Sequence, residues 1–166
     1  MNKLLATLLA STFMLAATIP AVNAATTNNN FQVSVTLSSQ CKATNSGTTT
    51  VDFGTYTAFQ AGAATGTPVN LTFDCTRGFA PSSVAFDTTN GTSTGGGVLQ
   101  GLHYDLTAGA ASTVAGTAAT SAAAAIGTAD AVTYAVSGNM PANQAGACAT
   151  ASCGPTAHTR TLIVTF

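Results

Sequence analysis

Ahead of the first cysteine the chain alternates residue by residue. Phe31, Val33, Val35 and Leu37 fall on one side, and Gln32, Ser34 and Thr36 on the other. Period-two alternation means a β-strand with one buried face. A second run of this kind, Thr161-Leu162-Ile163-Val164-Thr165-Phe166, closes the sequence. One strand before the first cysteine and another at the close imply a sheet that the chain does not finish by itself. Such a pattern suits a subunit that exchanges strands with a neighbour.

The first residues read as an export signal. Lys3 precedes an uncharged apolar run from Leu4 to Ala17, then Pro20 and Val22-Asn23-Ala24. A basic start, an apolar middle and small residues before the cut define a secretory signal peptide. The alternative is a retained anchor, but the run is shorter than the ~20 residues that cross a bilayer. Cleavage is expected after Ala24, giving a signal peptide at 1–24, an N-terminal strand segment at 25–38 and one domain at 39–166. Without Lys3 the only basic residues are Lys42, Arg77 and Arg160, against five acidic residues, all aspartate. No basic patch offers itself to nucleic acid. No basic amphipathic helix offers itself to a membrane surface, and no direct membrane insertion is expected. So few charges make a crowded monomer poorly soluble. They matter less for a protein that leaves the cell and packs into an assembly.

Four cysteines, Cys41, Cys75, Cys148 and Cys153, lie in this exported chain. An oxidising compartment makes disulfides the default, and four cysteines allow three pairings. Cys41–Cys75 together with Cys148–Cys153 is the expected arrangement. The first would close a loop of about 35 residues and contribute roughly 3–4 kcal/mol by chain entropy. The second pins a short loop and contributes less.

Short strand candidates recur between turn signals, and helical periodicity is absent after the signal segment. That spacing predicts an all-β sandwich. Thr49–Tyr56 alternates through Val51 and Phe53. Val69–Phe73 alternates into Cys75, with Pro68 at its expected start, where a missing N–H is tolerated. Ser83–Asp87 is a short strand before the Asn90-Gly91 turn. Gly95-Gly96-Gly97 reads as a flexible link. Leu102, Tyr104 and Leu106 alternate with His103 and Asp105, and Val132, Tyr134 and Val136 form another strand. Residues 107–131, rich in Ala, Thr, Gly and Ser, read as a long surface loop that could carry an irregular edge strand. Within it Ala122–Ala125 could hold a helical turn.

If Cys41 is bonded to Cys75, only Ser38-Ser39-Gln40 separate Leu37 from a fixed point in the sheet. The Phe31–Leu37 strand can then run on past the sheet edge but hardly turn back across its own domain. Seven residues span about 23 Å. Each of its four large side chains contributes about 1.5–3 kcal/mol when buried. In water they are a liability, as is any unpaired sheet edge. Adding the strand to another copy's open sheet removes both problems, and a head-to-tail contact that does not close makes a filament.

The motifs then line up with a known family. Phe31/Val33/Val35/Leu37 before Cys41, Phe53-Gly54-Thr55-Tyr56, Leu71-Thr72-Phe73-Asp74-Cys75-Thr76-Arg77-Gly78, Leu102-His103-Tyr104-Asp105-Leu106 and Met140-Pro141-Ala142-Asn143-Gln144 follow one another in the family's order. With the closing strand Leu162–Phe166, the chain resembles the spore coat protein U domain family, which includes subunits of archaic chaperone–usher pili. The resemblance implies an incomplete immunoglobulin-like β-sandwich. It implies a donor strand at Phe31, Val33, Val35 and Leu37, and an acceptor groove along the last strand at Leu162, Val164 and Phe166. It implies a periplasmic chaperone, an outer-membrane usher and other pilus subunits as partners. Its setting would be a cell-surface fibre reached through the periplasm, serving adhesion and biofilm formation. Strand donation between pilin subunits is a known mode of β-augmentation. The stretch before the last strand departs from the family, with Cys148 and Cys153 where a Gly-x-Tyr-x-Asp element is usual.

Other readings are weaker. Phe31–Leu37 could be the first strand of a self-contained sandwich, and Leu162, Val164 and Phe166 simple core. Cys148, Cys153 and His158 have spacing that suggests a metal, but no fourth ligand lies nearby, so neither metal nor cofactor is expected. Catalysis has no support: there is no glutamate, no Gly-x-Ser-x-Gly and no phosphate loop. The alternatives are a coat or surface-matrix protein built without an usher and, less favoured, a secreted carbohydrate-binding module. The absence of tryptophan argues against the last.

Overall fold

The computed structural model describes residues 27–45, 47–121 and 126–166. The expected signal peptide and the Ala122–Ala125 turn lie outside the described residues. The chain divides into two units, Met1–Thr36 and Leu37–Phe166. In the first, the described residues form no strand.

The second unit is all-β. Its strands are β1 (Cys41–Ala43), β2 (Ala64–Cys75), β3 (Ser83–Phe86), β4 (Gly96–Leu99), β5 (Leu102–Ala108), β6 (Ser112–Val114), β7 (Asp130–Met140) and β8 (Leu162–Thr165). Among the described residues there is no helix. One sheet has the order β1-β2-β7-β5-β4, with β6 also on β7; the other holds only β3 and β8. Every pairing is antiparallel. This is an immunoglobulin-like sandwich in which one sheet has only two strands.

Strand β7 is the spine, because its alternation is the cleanest. Val132, Tyr134, Val136 and Met140 are buried, while Ala135 and Asn139 face solvent. Tyr104 and Leu106 from β5, Cys75 from β2, Phe86 from β3 and Leu162 from β8 complete the core. Thus the two-stranded sheet contributes one large side chain per strand to it.

Several sequence expectations change. Strand β2 begins at Ala64 rather than Val69, so Pro68 sits inside it. The register shifts between Gly66 and Val69, and a proline without an N–H fits such a bulge. Thr49–Tyr56 is not a strand, although Val51 and Phe53 pack against the core. These two side chains cover Gly138, where an added Cβ would meet the Phe53 ring at 2.6 Å. Gly95-Gly96-Gly97 is not a flexible link: β4 starts at Gly96, and Gly96 and Gly97 are buried. Gly97 lies against the Tyr104 ring, leaving no room for a side chain. Residues 107–131 hold the short irregular strand that the sequence allowed for, as β6, together with the end of β5 and the start of β7.

Charged groups fasten the edges. Arg160, just before β8, donates from Nε to Asp87 Oδ1 at 3.0 Å, and to the Tyr104 hydroxyl at 3.1 Å and the Gly96 carbonyl at 3.3 Å. It also donates to the carbonyls of Asp87 and Thr92, both at 2.9 Å. One nearly buried guanidinium therefore ties the small sheet to the large one. Burial alone would raise the Asp87 pKa, but the Thr161 N–H and Arg160 outweigh it and hold the carboxyl below its ordinary value. At the other end, Asp130 accepts from the N–H groups of Gly78 at 2.8 Å and Gly116 at 2.7 Å. These two donors hold its carboxyl low as well, against burial and with help from Arg77.

Cys41 is bonded to Cys75 and Cys148 to Cys153, with sequence separations of 34 and 5. By loop entropy the longer closure restricts the unfolded chain more. Replacing Cys41 and Cys75 by alanine should lower unfolding free energy in a urea titration by roughly 3 kcal/mol, and replacing Cys148 and Cys153 by clearly less. Arg160→Leu should cost about 1–3 kcal/mol in the same titration, because the partly buried Asp87 keeps the Thr161 N–H but loses its guanidinium partner. Both carboxyls are depressed in the folded state. Their contribution is therefore complete above the unfolded aspartate pKa of about 3.9 and is lost as pH falls through the lower folded values. Urea midpoints should hold steady from neutral pH down to about pH 5, then drop, and the drop should shrink in Asp87→Asn.

Candidate functional site

The register of the small sheet decides which backbone groups are free. The Asp87 N–H bonds the Thr161 carbonyl at 2.9 Å, and Ala85 stands opposite Ile163. In an antiparallel ladder the bonded pairs recur every second residue. So the peptide groups of Thr161, Ile163 and Thr165 turn toward β3, and those of Leu162 and Val164 turn to the opposite edge. No further described strand lies there. The outer edge of β3 is different, because the Phe86 N–H is taken by the Ser93 carbonyl at 3.0 Å. Strand β8 therefore presents the open edge of this sheet.

The large sheet has an open edge of its own. The N–H groups of Thr44 and Thr76 bond the carbonyls of Thr72 and Gln40. By the same alternation, Cys41 and Ala43 turn their peptide groups away from β2. Among the described residues strand β1 pairs with β2 alone. Each sheet thus ends on a strand with one unoccupied side.

The sequence-predicted residues fall as follows. Leu162 is buried and Val164 packs against the core. Phe166 is 43% exposed, with its ring 5.6 Å from that of Phe79. The role of Phe79 was not visible in the sequence, where it stands alone between Gly78 and Ala80. Phe31, Val33, Val35 and Leu37 are 85%, 86%, 92% and 76% exposed. No ladder pairing is recorded for them, so this run is not a strand in the single chain. Four large apolar side chains in a row, alternating and open to water, are a liability in a free chain. Cys148 and Cys153 are bonded to each other, so neither is a free thiolate ligand beside His158. Among the described residues there is no group of three metal-ligating side chains. His103 is exposed and pairs with Asp105 at 3.1 Å.

The two ends of the domain differ. At the end where Cys75 stands opposite Asp130, the chain enters from the N-terminal segment through Gln40 and Cys41. At the other end, where Ala64 stands opposite Met140, loops crowd together. There the Tyr56 hydroxyl donates to the Pro141 carbonyl and accepts from the Gln144 N–H. The Gln144 side chain both accepts from and donates to the backbone of His103. The Gln100 side chain reaches the Gly154 carbonyl, beside the Cys148–Cys153 bond. The Met140-Pro141-Ala142-Asn143-Gln144 motif is therefore a clamp for neighbouring loops.

Residues 27–152 match the family model for the Spore Coat Protein U domain. No curated protein and no solved structure matches the chain. The match takes in the N-terminal alternation and strands β1 to β7, and it stops before β8. It covers well over half of the sequence, and the chain belongs to the spore coat protein U domain family, whose members are structural proteins of the surface and pilus type.

Proposed function

We propose that the chain is a structural subunit of an extracellular pilus, polymerised by strand donation. The Phe31–Leu37 run of one copy adds to the open edge of β8 in the next. One observation carries this reading. The same polypeptide has an unpaired strand edge at Leu162 and Val164 and a separate row of exposed apolar side chains at Phe31, Val33, Val35 and Leu37. Each supplies what the other lacks. The donor gives N–H and C=O groups to the edge and apolar side chains to the core margin; the acceptor removes those side chains from water.

An exposed donor row and an open edge are both prone to wrong association before assembly. A periplasmic chaperone that covers the β8 edge, followed by an outer-membrane usher, fits that need. The resulting fibre would serve adhesion and biofilm formation. The proposal assigns the chain no reaction, cofactor, nucleic acid or membrane insertion. Supporting this, Asp87 and Asp130 hold backbone and Arg160 rather than a pocket. Among the described residues no helix is long and apolar enough to cross a membrane.

Electrophoresis of surface material without heating should show a ladder of multimers that collapses to the single chain on boiling. Val33→Asp should abolish the ladder, because a carboxylate cannot be buried at the core margin without a partner. Gln32→Asp, on the alternate face, should leave it. A ladder that survives Val33→Asp would overturn strand donation by this segment.

A further inference from the structure

The most exposed aromatic of the second unit is not at either open strand. Phe59 is 69% exposed and has a φ of 60°. A bulky residue rarely adopts that left-handed conformation, which costs roughly 1–3 kcal/mol and persists only where neighbours enforce it. Here they do. The Phe59 N–H bonds the Gln144 carbonyl at 2.8 Å, and the Asn143 N–H bonds the Gln60 carbonyl at 2.8 Å. The Gln60 side chain accepts from the Thr57 N–H and donates to the Gly62 carbonyl. The ring is thus held in water on a braced loop at the end marked by Ala64 and Met140.

The opposite end carries a concavity of about 560 Å³, lined by Lys42, Arg77, Thr117, Ala118, Thr128 and Ala129 among others. Gln40 also lines it, so it lies at the root of the N-terminal segment. Two of the three basic residues after the signal segment meet there. Alanine and threonine methyl groups supply apolar surface, and a guanidinium or ammonium group is attracted to an aromatic face. The Phe59 loop and this concavity stand at the two ends of β2, whose 12 residues span about 35 Å.

Strand β8 runs from the loop end toward the root end, where Phe166 meets Phe79. If a donor ran parallel to β8, two root ends would collide where both N-terminal segments emerge. An antiparallel donor instead sets the root end of one copy against the loop end of the next. We infer that Phe59 of one copy seats in the concavity between Lys42 and Arg77 of the adjoining copy, as a second, end-to-end contact of the filament. It rests on the strand-donation reading and makes the joint between subunits stiffer than a single strand would be. Because the two surfaces are different and lie at opposite ends, the contact repeats without closing.

The test uses the full chain assembled on cells, with a photoreactive benzoyl-phenylalanine in place of Phe59. Irradiation should give covalent dimers whose cross-linked peptides contain Lys42, Thr76–Arg77, Thr117–Ala119 or Gly127–Ala129. Ala118→Lys, an exposed position that fills the concavity, should cut the yield several-fold while the heat-sensitive ladder persists. An intact ladder with no dimers, or with dimers mapped elsewhere, overturns the end-to-end contact and leaves strand donation standing. Loss of the ladder in the unsubstituted protein overturns both.

Discussion

A sheet of two strands cannot hold itself in place in water. That constraint governs this domain. Strands β3 and β8 are far apart in sequence, share four residue pairs, and bury Phe86 and Leu162 between the layers. What fixes them against the larger sheet is Arg160. Its guanidinium reaches Asp87 on the small sheet's side and Gly96 and Tyr104 on the other. The planar fork of arginine serves several acceptors at once in fixed directions, which a lysine ammonium on a flexible stem does not match. The orientation of the β8 edge, and so any strand addition to it, depends on this clamp.

The few charges of the chain follow the same logic. Only 5% of residues are charged. Arg160 and Asp87 join the two layers, Asp130 draws the turn after β2 and the loop after β6 onto β7, and Arg77 donates to the Gly116 carbonyl at 3.2 Å. Charge in this protein fastens elements more than it solvates the surface. A surface of threonine, alanine, serine and glycine suits a chain that ends in an assembly, where crowded neighbours need not repel one another.

Much of the fold was legible, because it depends on short-range alternation. Val132/Tyr134/Val136 and Leu102/Tyr104/Leu106 read as strands and are strands, and all but Leu102, which packs against it from outside, belong to the buried core. Where alternation is written in side chains that are absent, reading failed. Gly96 and Gly97 look like a hinge in sequence. In the fold they are a strand whose missing side chains make room for Tyr104. Val51 and Phe53 alternate like a strand yet lie over Gly138 without joining a ladder, because the space they fill is set by a glycine far along the chain. Of the candidate site, the last strand was legible as a strand, whereas the alternating run at Phe31–Leu37 was read as a strand and forms none in the single chain. Phe79, Phe59 and the Arg160 clamp were not legible. Each acts through contacts between distant segments, and nothing in its local sequence marks it.

The donor strand taken alone does not explain a durable fibre. Burying four large side chains contributes roughly 6–12 kcal/mol. Ordering seven backbone residues costs roughly 7–14 kcal/mol. These nearly cancel, so the stability of the joint has to come from the acceptor. There, under the proposed strand donation, the added strand would satisfy the peptide groups of Leu162 and Val164 and cover the margin of the two-stranded sheet. Such a joint would also be kinetic in character. A strand added to the β8 edge would have to break its ladder and expose its apolar face before it could leave, so the barrier to release would exceed the net free energy of joining. A filament joined in this way would resist denaturants by the slowness of its unlacing, and the Arg160 clamp, which fixes the small sheet, would help to keep the added strand in place.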